Sequence, residues 1–148
     1  MKTVNKSVLL WYSAAEMFAL VADVASYPKF LPWCGKASVL EEFADGMTAK
    51  VGLSMAGLSQ SFTTRNTHVK DSKINLKLVD GPFSKLDGQW EFTPIGNNNE
   101  RACKVVFTLS YDFDNAALAA LVGPVFDKIA GSLVDAFVKR ALQLYEKD

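Results

Sequence analysis

The sequence predicts an α+β fold in which a curved antiparallel sheet of about seven strands wraps around one long C-terminal helix. Three observations predict it. A helix-start signal follows a short first strand, apolar residues alternate with a period of two from about residue 36 to residue 113, and a helical period follows Gly123–Pro124. Because a helix is narrower than a curved sheet, this arrangement often leaves a cavity between them.

The composition limits the classes of function. Lys and Arg together number 16, as do Asp and Glu, so the chain offers no electrostatic argument for a DNA partner. At 148 residues we expect a single domain spanning 1–148. Cys34 and Cys103 lack the spacing of a disulfide framework and are expected to be buried thiols. With no signal peptide and no apolar run of 18 residues, we expect a cytoplasmic protein that contacts membranes only peripherally.

The N-terminal part predicts a strand and two short helices. Residues 3–11 alternate loosely, and Ser13 with Glu16 form a capping box for a helix reaching about Val24. The segment 27–34, YPKFLPWC, holds three aromatic side chains and two prolines, which permit only a short helical turn. This segment either plugs the core or forms a gate at an opening, and we expect a gate.

Six further strands are predicted between residues 36 and 113. The alternating apolar residues are Val51, Leu53, Met55, Ile74, Leu76, Leu78, Trp90, Phe92, Val105, Phe107, Leu109, Tyr111 and Phe113. Turn signals separate the strands at 44–46, 56–59, 70–72, 80–82 and 96–99. One apolar and one polar face is the pattern of an antiparallel sheet with one buried side.

The C-terminal end of the chain predicts a long helix that begins after Gly123–Pro124. Its apolar stripe consists of Phe126, Ile129, Ala130, Leu133, Phe137, Ala141 and Leu144, widened by Val134, Val138 and Tyr145. The stripe covers close to half of the circumference, whereas a helix lying on a sheet needs only about 100°. The surplus has two interpretations, deeper embedding among other elements or a wall shared with a ligand.

Residues that support catalysis are few. His68 is the single histidine, and nothing in the sequence places it beside Cys34 as a nucleophile pair. One strand carries Phe62, Thr64, Asn66 and His68 on one face. The other face carries Ser61, Thr63, Arg65 and Thr67, so whichever face points inward brings polar groups under the helix. These groups need each other, solvent or the polar head of a ligand as partners. We expect no enzyme, no metal site and no required cofactor.

Four motifs carry a resemblance to a known family. They are YSAAEMFALVADVASYPKFLPWC, SFTTR, LVDGPFSKLDGQWEFTP and LVGPVFDKIAGSLVDAFVKRA. In order and spacing they resemble the family of bacterial ribosome association toxins and mitochondrial coenzyme Q-binding proteins, over residues 4–145. This family belongs to the START-like, polyketide cyclase/dehydrase group. The resemblance implies a helix-grip fold with an apolar tunnel under the long helix.

The resemblance implies two alternative functions. The first is a quinone carrier that supports respiration and binds ubiquinone, its isoprenoid tail or another lipid in the tunnel, with transient contact at the inner membrane. The second is a toxin that binds the large ribosomal subunit and blocks subunit association. A patch of Lys36, Lys50, Lys70, Lys73 and Lys77 could serve ribosomal RNA, or these lysines could form an ordinary solvated sheet face.

The predicted tunnel and gate combine residues that match the family motifs with apolar residues of the strands and the long helix. They are Tyr27, Phe30, Leu31, Pro32, Trp33, Leu53, Met55, Phe62, Phe83, Trp90, Phe92, Phe107, Val125, Phe126, Ile129, Leu133 and Phe137. Whether Thr64, Asn66 and His68 contact a ligand head stays open at this point.

Overall fold

The structure, a computed structural model, describes residues 2–55, 57–96 and 101–145. Within these residues seven strands form one antiparallel sheet, in the order β1-β7-β6-β5-β4-β3-β2. The strands are β1 Lys2–Leu10, β2 Cys34–Phe43, β3 Gly46–Met55, β4 Leu58–Val69, β5 Lys73–Asp80, β6 Phe83–Pro94 and β7 Cys103–Phe113. The helices are α1 Ala14–Ala22, a 3-10 helix Val24–Lys29 and α2 Ala116–Tyr145. The predicted α+β architecture, with two short helices after the first strand, is confirmed.

The N-terminal helix begins as predicted. The Ser13 hydroxyl accepts a hydrogen bond from the Glu16 backbone N–H at 3.0 Å, and the Glu16 carboxylate accepts one from the Ser13 N–H at 2.9 Å. This capping box satisfies two donors at the start of α1. The helix ends at Ala22, slightly before the predicted Val24.

The turn signals and the cysteines agree with the prediction where the structure describes them. Strand ends in the described ranges fall at 44–46, 70–72 and 80–82, whereas Ala56 and residues 97–99 of the other two signals lie outside the described residues. Cys34 and Cys103 are free and buried. The predicted buried thiols are confirmed.

The predicted start of the long helix is wrong. Helix α2 begins at Ala116, where the Asn115 side-chain oxygen accepts a hydrogen bond from the Leu118 N–H at 2.9 Å. An asparagine cap of this kind stabilises a helix start. Gly123 is buried inside α2 and the exposed Pro124 follows it without ending the helix.

The predicted apolar stripe of α2 is largely buried, with one exception. Phe126, Ile129 and Phe137 are buried, and Ala141 is fully buried. Leu144 is exposed, so its place in the stripe is corrected. The reason lies in the last turn, where Tyr145 packs on Tyr12 and donates a hydrogen bond to the Glu16 carbonyl, which turns Leu144 outward.

By length and composition alone, α2 could cross a membrane. The sequence predicted no spanning segment, and among the described residues α2 is the one helix that meets these two criteria. They are weak evidence, because the central helix of a globular core meets them as well. Here the apolar stripe packs against the sheet and against α1.

Candidate ligand cavity

A cavity lies between the inner face of the sheet and α2. The centre of a water-sized sphere can occupy about 90 Å³ of it. Residues of α1, the 3-10 helix, strands β3 to β7 and α2 line it. Typical small-molecule pockets occupy roughly 300–1,000 Å³. A ligand of ordinary size therefore requires side chains of the lining to move.

The structure brings ten of the seventeen predicted tunnel residues to this cavity. They are Tyr27, Trp33, Leu53, Phe62, Trp90, Phe107, Phe126, Ile129, Leu133 and Phe137. Because side chains alternate between the two faces of a strand, the strand residues in this set share the inner face of the sheet. The helical period of α2 brings its residues to the opposite wall of the cavity. Their role in ligand binding stays a prediction, but their common location is a property of the fold.

Seven predicted residues lie away from the cavity lining: Phe30, Leu31, Pro32, Met55, Phe83, Phe92 and Val125. Several of them pack against the lining from behind. The Phe30 ring lies 5.3 Å from that of Phe137, the Phe83 ring 4.9 Å from that of Phe126, and the Phe92 ring 6.2 Å from that of Trp90. Sequence alternation identifies inward side chains, but it does not tell which of them face space and which fill it.

The segment 27–34 contributes to the core and to the cavity. Leu31 and Cys34 are buried in a small core cluster, while Tyr27 and Trp33 line the cavity. The Tyr27 hydroxyl donates to the Val21 carbonyl at 2.5 Å, and burial raises the pKa of this tyrosine. The segment is therefore anchored to the end of α1, and its role as a gate stays a prediction.

Sequence reasoning missed further residues of the lining. They are Val21, Ala22, Val24, Ala49, Val51, Ile74, Leu76, Leu86, Leu109 and Ala130. The strand members among them lie on the same inward face as Leu53, Phe62 and Phe107, so the period of two contained the signal. For Val21 and Val24 the helical period predicts burial, which is confirmed. Their place at the cavity, and that of Ala22, follows from the packing of α1 and the 3-10 helix on the sheet.

Three polar side chains of β4 face the cavity: Thr64, Asn66 and His68. The Thr64 hydroxyl donates to the Asn66 side-chain oxygen at 2.6 Å, and both residues are buried. Gly46 of β3 lies directly against Asn66, since a Cβ there would sit 1.9 Å from the Asn66 carbonyl oxygen, and its φ is +156°. Only glycine permits this close approach.

His68 is held at the end of this polar row. Its backbone N–H donates to the Asp45 carbonyl at 2.6 Å, and its ring contacts Phe18 edge to face at 5.6 Å. Burial lowers the pKa of His68, an effect that the Asp45 charge opposes. Its Nε2 is buried and has no hydrogen-bond partner within the described residues.

The site contains little that could perform catalysis. Among the described residues that line the cavity, none is Lys, Arg, Asp or Glu. The described part of the chain contains no group of three or more His, Cys, Asp and Glu residues that could hold a metal ion. The Cys34 thiol donates to the Lys36 carbonyl at 3.4 Å, and burial raises its pKa, which is the opposite of activation as a nucleophile.

Comparison with known proteins identifies relatives along the whole chain. Residues 10–138 match the family described as "Polyketide cyclase / dehydrase and lipid transport". The chain is 44% identical to "Ribosome association toxin RatA" of Pseudomonas aeruginosa, over 96% of both chains. It is 27% identical to "Coenzyme Q-binding protein COQ10, mitochondrial" of Drosophila melanogaster, over 91% of this chain and 56% of that protein.

Solved structures share the fold. An 18 kDa protein of Caulobacter crescentus superposes with a TM-score of 0.75 and 32% identity, over 99% of this chain and 100% of that one. A START superfamily protein of Mycobacterium smegmatis gives a TM-score of 0.79 at 21% identity, covering 96% and 98%. The Zhui aromatase/cyclase of Streptomyces sp. R1128 gives 0.81 at 17% identity, covering 95% and 93%. The last two likenesses concern the fold alone, and they identify it as the START-like helix-grip fold.

Proposed function

We propose, from the premise that the chain belongs to the polyketide cyclase/dehydrase and lipid transport family and to its RatA/COQ10 branch, that it is a ribosome association factor. It would bind the large ribosomal subunit in the cytoplasm and block subunit association. The observation that carries this proposal is the 44% identity to a ribosome association toxin over 96% of both chains. Ribosome association has more support than the quinone-carrier function, because the coenzyme Q-binding relative is 27% identical to this chain.

The outer face of the sheet offers a surface for this partner. Residues that pair across neighbouring strands lie on the same face of the sheet. Lys36 pairs with Gly52, Lys50 with Thr63 and Lys77 with Arg65, and none of these partners lines the cavity. The three lysines therefore lie on the face opposite the cavity. All three lysines are exposed. Ammonium groups on an open surface can contact the phosphates of ribosomal RNA, and such contacts weaken with salt.

Because the cationic and anionic residues are equal in number, binding to the subunit requires a local basic surface and not a long-range electrostatic field. Acidic side chains are interspersed with these lysines, since Asp87 pairs with Lys77 in the register. With 16 cationic and 16 anionic residues, long-range attraction to RNA is small. Specific contact between this part of the sheet and the subunit is therefore what the proposal needs.

A subunit-joining assay tests the proposal. Purified large and small bacterial subunits are mixed with the chain, and the fraction of joined ribosomes is read from a sucrose gradient. We expect the wild-type chain to lower this fraction and the triple variant Lys36→Glu, Lys50→Glu, Lys77→Glu to lose the effect. The matched control reverses Lys29, Lys128 and Lys139, which are exposed on the 3-10 helix and α2, and keeps it. A wild-type chain that leaves the joined fraction unchanged would refute the proposal.

The cavity supports a second function, binding of a lipophilic ligand. Its lining is mostly apolar, and its residues with polar groups are Thr64, Asn66 and His68 of β4 and the aromatic Tyr27, Trp33 and Trp90. Each buried methylene of a ligand contributes about 0.8 kcal/mol. The family description includes lipid transport, and the coenzyme Q-binding relative suggests a quinone or its isoprenoid tail. We propose binding, not cyclase chemistry, since the described lining holds no carboxylate, lysine or arginine, and its one histidine, His68, has no charged partner among the lining residues.

Mass spectrometry of an organic extract tests this second function. We expect the purified chain to release an apolar compound that is absent from a Phe126→Glu variant, because Phe126 lines the cavity and its carboxylate replacement has no cation there. Lys128→Glu, a change of charge on the exposed side of the same helix, serves as the control. Equal recovery of the compound from the wild type and from Phe126→Glu would place the ligand elsewhere.

A further inference from the structure

A basic groove lies on the surface between the 3-10 helix and the C-terminal half of α2. The centre of a water-sized sphere can occupy about 310 Å³ of it. Lys29, Lys139 and Arg140 line this groove, and no acidic side chain is among the described residues of its lining. The groove is separate from the cavity, because the two share no described lining residue.

The helical period of α2 builds one wall of the groove. Relative to Ala136, Lys139 is three positions along the helix, Arg140 four and Gln143 seven, so these side chains share one face. The small side chain of Ala136 leaves room between the long ones. Lys29, the last residue of the 3-10 helix, contributes from the other side of the groove.

Phe30 provides an aromatic surface for the Arg140 guanidinium. The guanidinium carbon lies 5.2 Å from the centre of the Phe30 ring. Ring contacts to Tyr27 at 6.1 Å and to Phe137 at 5.3 Å hold Phe30 in place. A guanidinium over a ring is attracted by its face and keeps the N–H groups of its planar edge for hydrogen bonds.

Most hydrogen-bond donors of Arg140 are unused. Within the described residues its guanidinium donates one hydrogen bond, from Nη1 to the Gln143 side-chain oxygen at 3.3 Å. The Nε–H is shielded from solvent and has no partner in the described part of the chain. Because arginine keeps its protons in proteins, Nε is a donor in every state. An unpartnered buried donor is unfavourable, which favours an oxygen acceptor beside it.

The three cations of the groove also lack a carboxylate partner. None of Lys29, Lys139 and Arg140 forms an ion pair with a described residue. Asp135, one turn before Lys139 on α2, lines a neighbouring groove beside Trp11 and does not line this one. Three positive charges without a counter-ion attract a multiply charged anion more strongly than a singly charged one.

We propose that Lys29, Lys139 and Arg140 bind a dianionic phosphate group, the phosphate monoester of a small molecule or of a lipid head. The guanidinium fork matches pairs of phosphate oxygens, and the lysines add point charges. A phosphate monoester carries a charge of about −1.5 to −2 at pH 7, more than a carboxylate. The inference is independent of both functions proposed above, because the groove includes neither cavity residues nor lysines of the outer sheet face.

Three probes with the same ring test the charge of the ligand. Phenyl phosphate is a dianion at about pH 8, phenyl sulfate is a tetrahedral monoanion, and benzoate is a planar monoanion. Calorimetric titration at low salt should show phenyl phosphate binding about fivefold more tightly than the other two. NMR should show that it shifts the Arg140 Nε–H signal, while the signals of Arg65 and Arg101, the other arginines of the chain, stay in place.

The variants remove single cations from the groove. Lys29→Gln and Lys139→Gln replace exposed side chains and should each weaken phenyl phosphate binding about threefold, and together about tenfold. Arg140→Lys keeps the charge but loses the planar fork, and should weaken binding by a similar factor to one lysine. Lys128→Gln, exposed on α2 outside the groove, is the matched control and should bind like the wild type.

Vesicles distinguish the two sources of the phosphate. Phosphatidic acid presents a phosphate monoester in a membrane, whereas phosphatidylcholine presents a diester without net charge. Cosedimentation with vesicles of both lipids but not with phosphatidylcholine alone, lost in the double variant Lys29→Gln, Lys139→Gln, supports a lipid head as the ligand. Phenyl phosphate binding without cosedimentation supports a soluble monoester.

Three results would refute the phosphate site. The first is an Arg140 signal that phenyl phosphate does not shift. The second is equal affinity for phenyl phosphate, phenyl sulfate and benzoate, which would show attraction without selection of the dianion. The third is unchanged affinity for phenyl phosphate in the double variant Lys29→Gln, Lys139→Gln. Both lysines are exposed, so this variant keeps the fold and isolates the loss of charge.

Discussion

The two faces of strands β3 to β5 differ in chemistry, although the same strands supply both faces through alternating residues. The inner face carries Ala49, Asn66 and Ile74, all buried against the cavity. The outer face carries Lys50 and Lys77, both exposed. A period of two therefore divides one stretch of chain into an apolar chamber and a charged surface. Under the two proposals, ligand binding and ribosome association use opposite sides of the sheet.

The largest expected difference between the faces is in stability. Ile74→Ala on the inner face should lower the free energy of unfolding by about 2–5 kcal/mol, because it removes buried contacts. Lys77→Ala on the outer face of the same strand should change it by less than about 0.5 kcal/mol. Urea unfolding of both variants measures the contrast. Similar losses in the two variants would mean that the outer face is also packed.

The substitution Ala→Leu at two positions of α2 distinguishes empty space from filled space on the inner side of the sheet. Ala130 lines the cavity, whereas the fully buried Ala141 does not. Ala141→Leu should destabilise the protein by about 1–3 kcal/mol through overpacking. Ala130→Leu should stay within about 1 kcal/mol of the wild type, since the added methylenes enter existing space. A destabilisation by Ala130→Leu equal to that by Ala141→Leu would show that the space is not available.

A smaller effect is expected at the edge of the inner core, where Glu16 pairs with Arg101. Two hydrogen bonds of 2.6 and 2.5 Å from the guanidinium lower the pKa of Glu16 to about 2. Because the folded pKa is depressed, this stabilisation is complete above the ordinary value of 4.5 and is lost as pH falls toward 2. Acid titration of the unfolding free energy should show the loss in the wild type and a flatter profile in Glu16→Gln. A profile that Glu16→Gln leaves unchanged would contradict the assignment.

The smallest expected effect belongs to His68 on the inner face. Burial lowers its pKa below 6.5, so the unfolded chain binds a proton first and stability decreases as pH falls from about 6.5 toward the folded value. His68 is the only histidine of the chain. Urea unfolding of the wild type and of His68→Phe between pH 7.5 and pH 5.5 isolates this contribution, which should be a small loss of stability in the wild type alone. Stability of the wild type that rises toward pH 5.5 would show a His68 stabilised in its charged form.

The sequence predicted the architecture well because alternation and capping are local signals. The capping box of Ser13 and Glu16 and the seven strands could be read directly. The start of α2 was misplaced, since Gly123–Pro124 is a strong breaking signal and the cap at Asn115 was overlooked. The helix continues through Pro124 because Val122 and Phe126, on either side of it, are buried in the core.

The cavity was harder to predict than the sheet. Phe83 and Phe92 point inward as predicted, but they pack against Phe126 and Trp90 and do not line the space. The volume between packed side chains depends on sizes summed over distant strands, which no single stretch of sequence contains. For the same reason Ala49 and Ala130, small residues that leave room, were absent from the predicted tunnel.

Direct binding to the large ribosomal subunit tests the central claim of the proposed function. The wild-type chain is mixed with purified large subunits and sedimented at about 50 mM and about 200 mM salt, where phosphate contacts differ in strength. We expect the chain in the subunit fraction at the lower salt and less of it at the higher salt. A chain that stays at the top of the gradient at both salt concentrations would contradict the proposal.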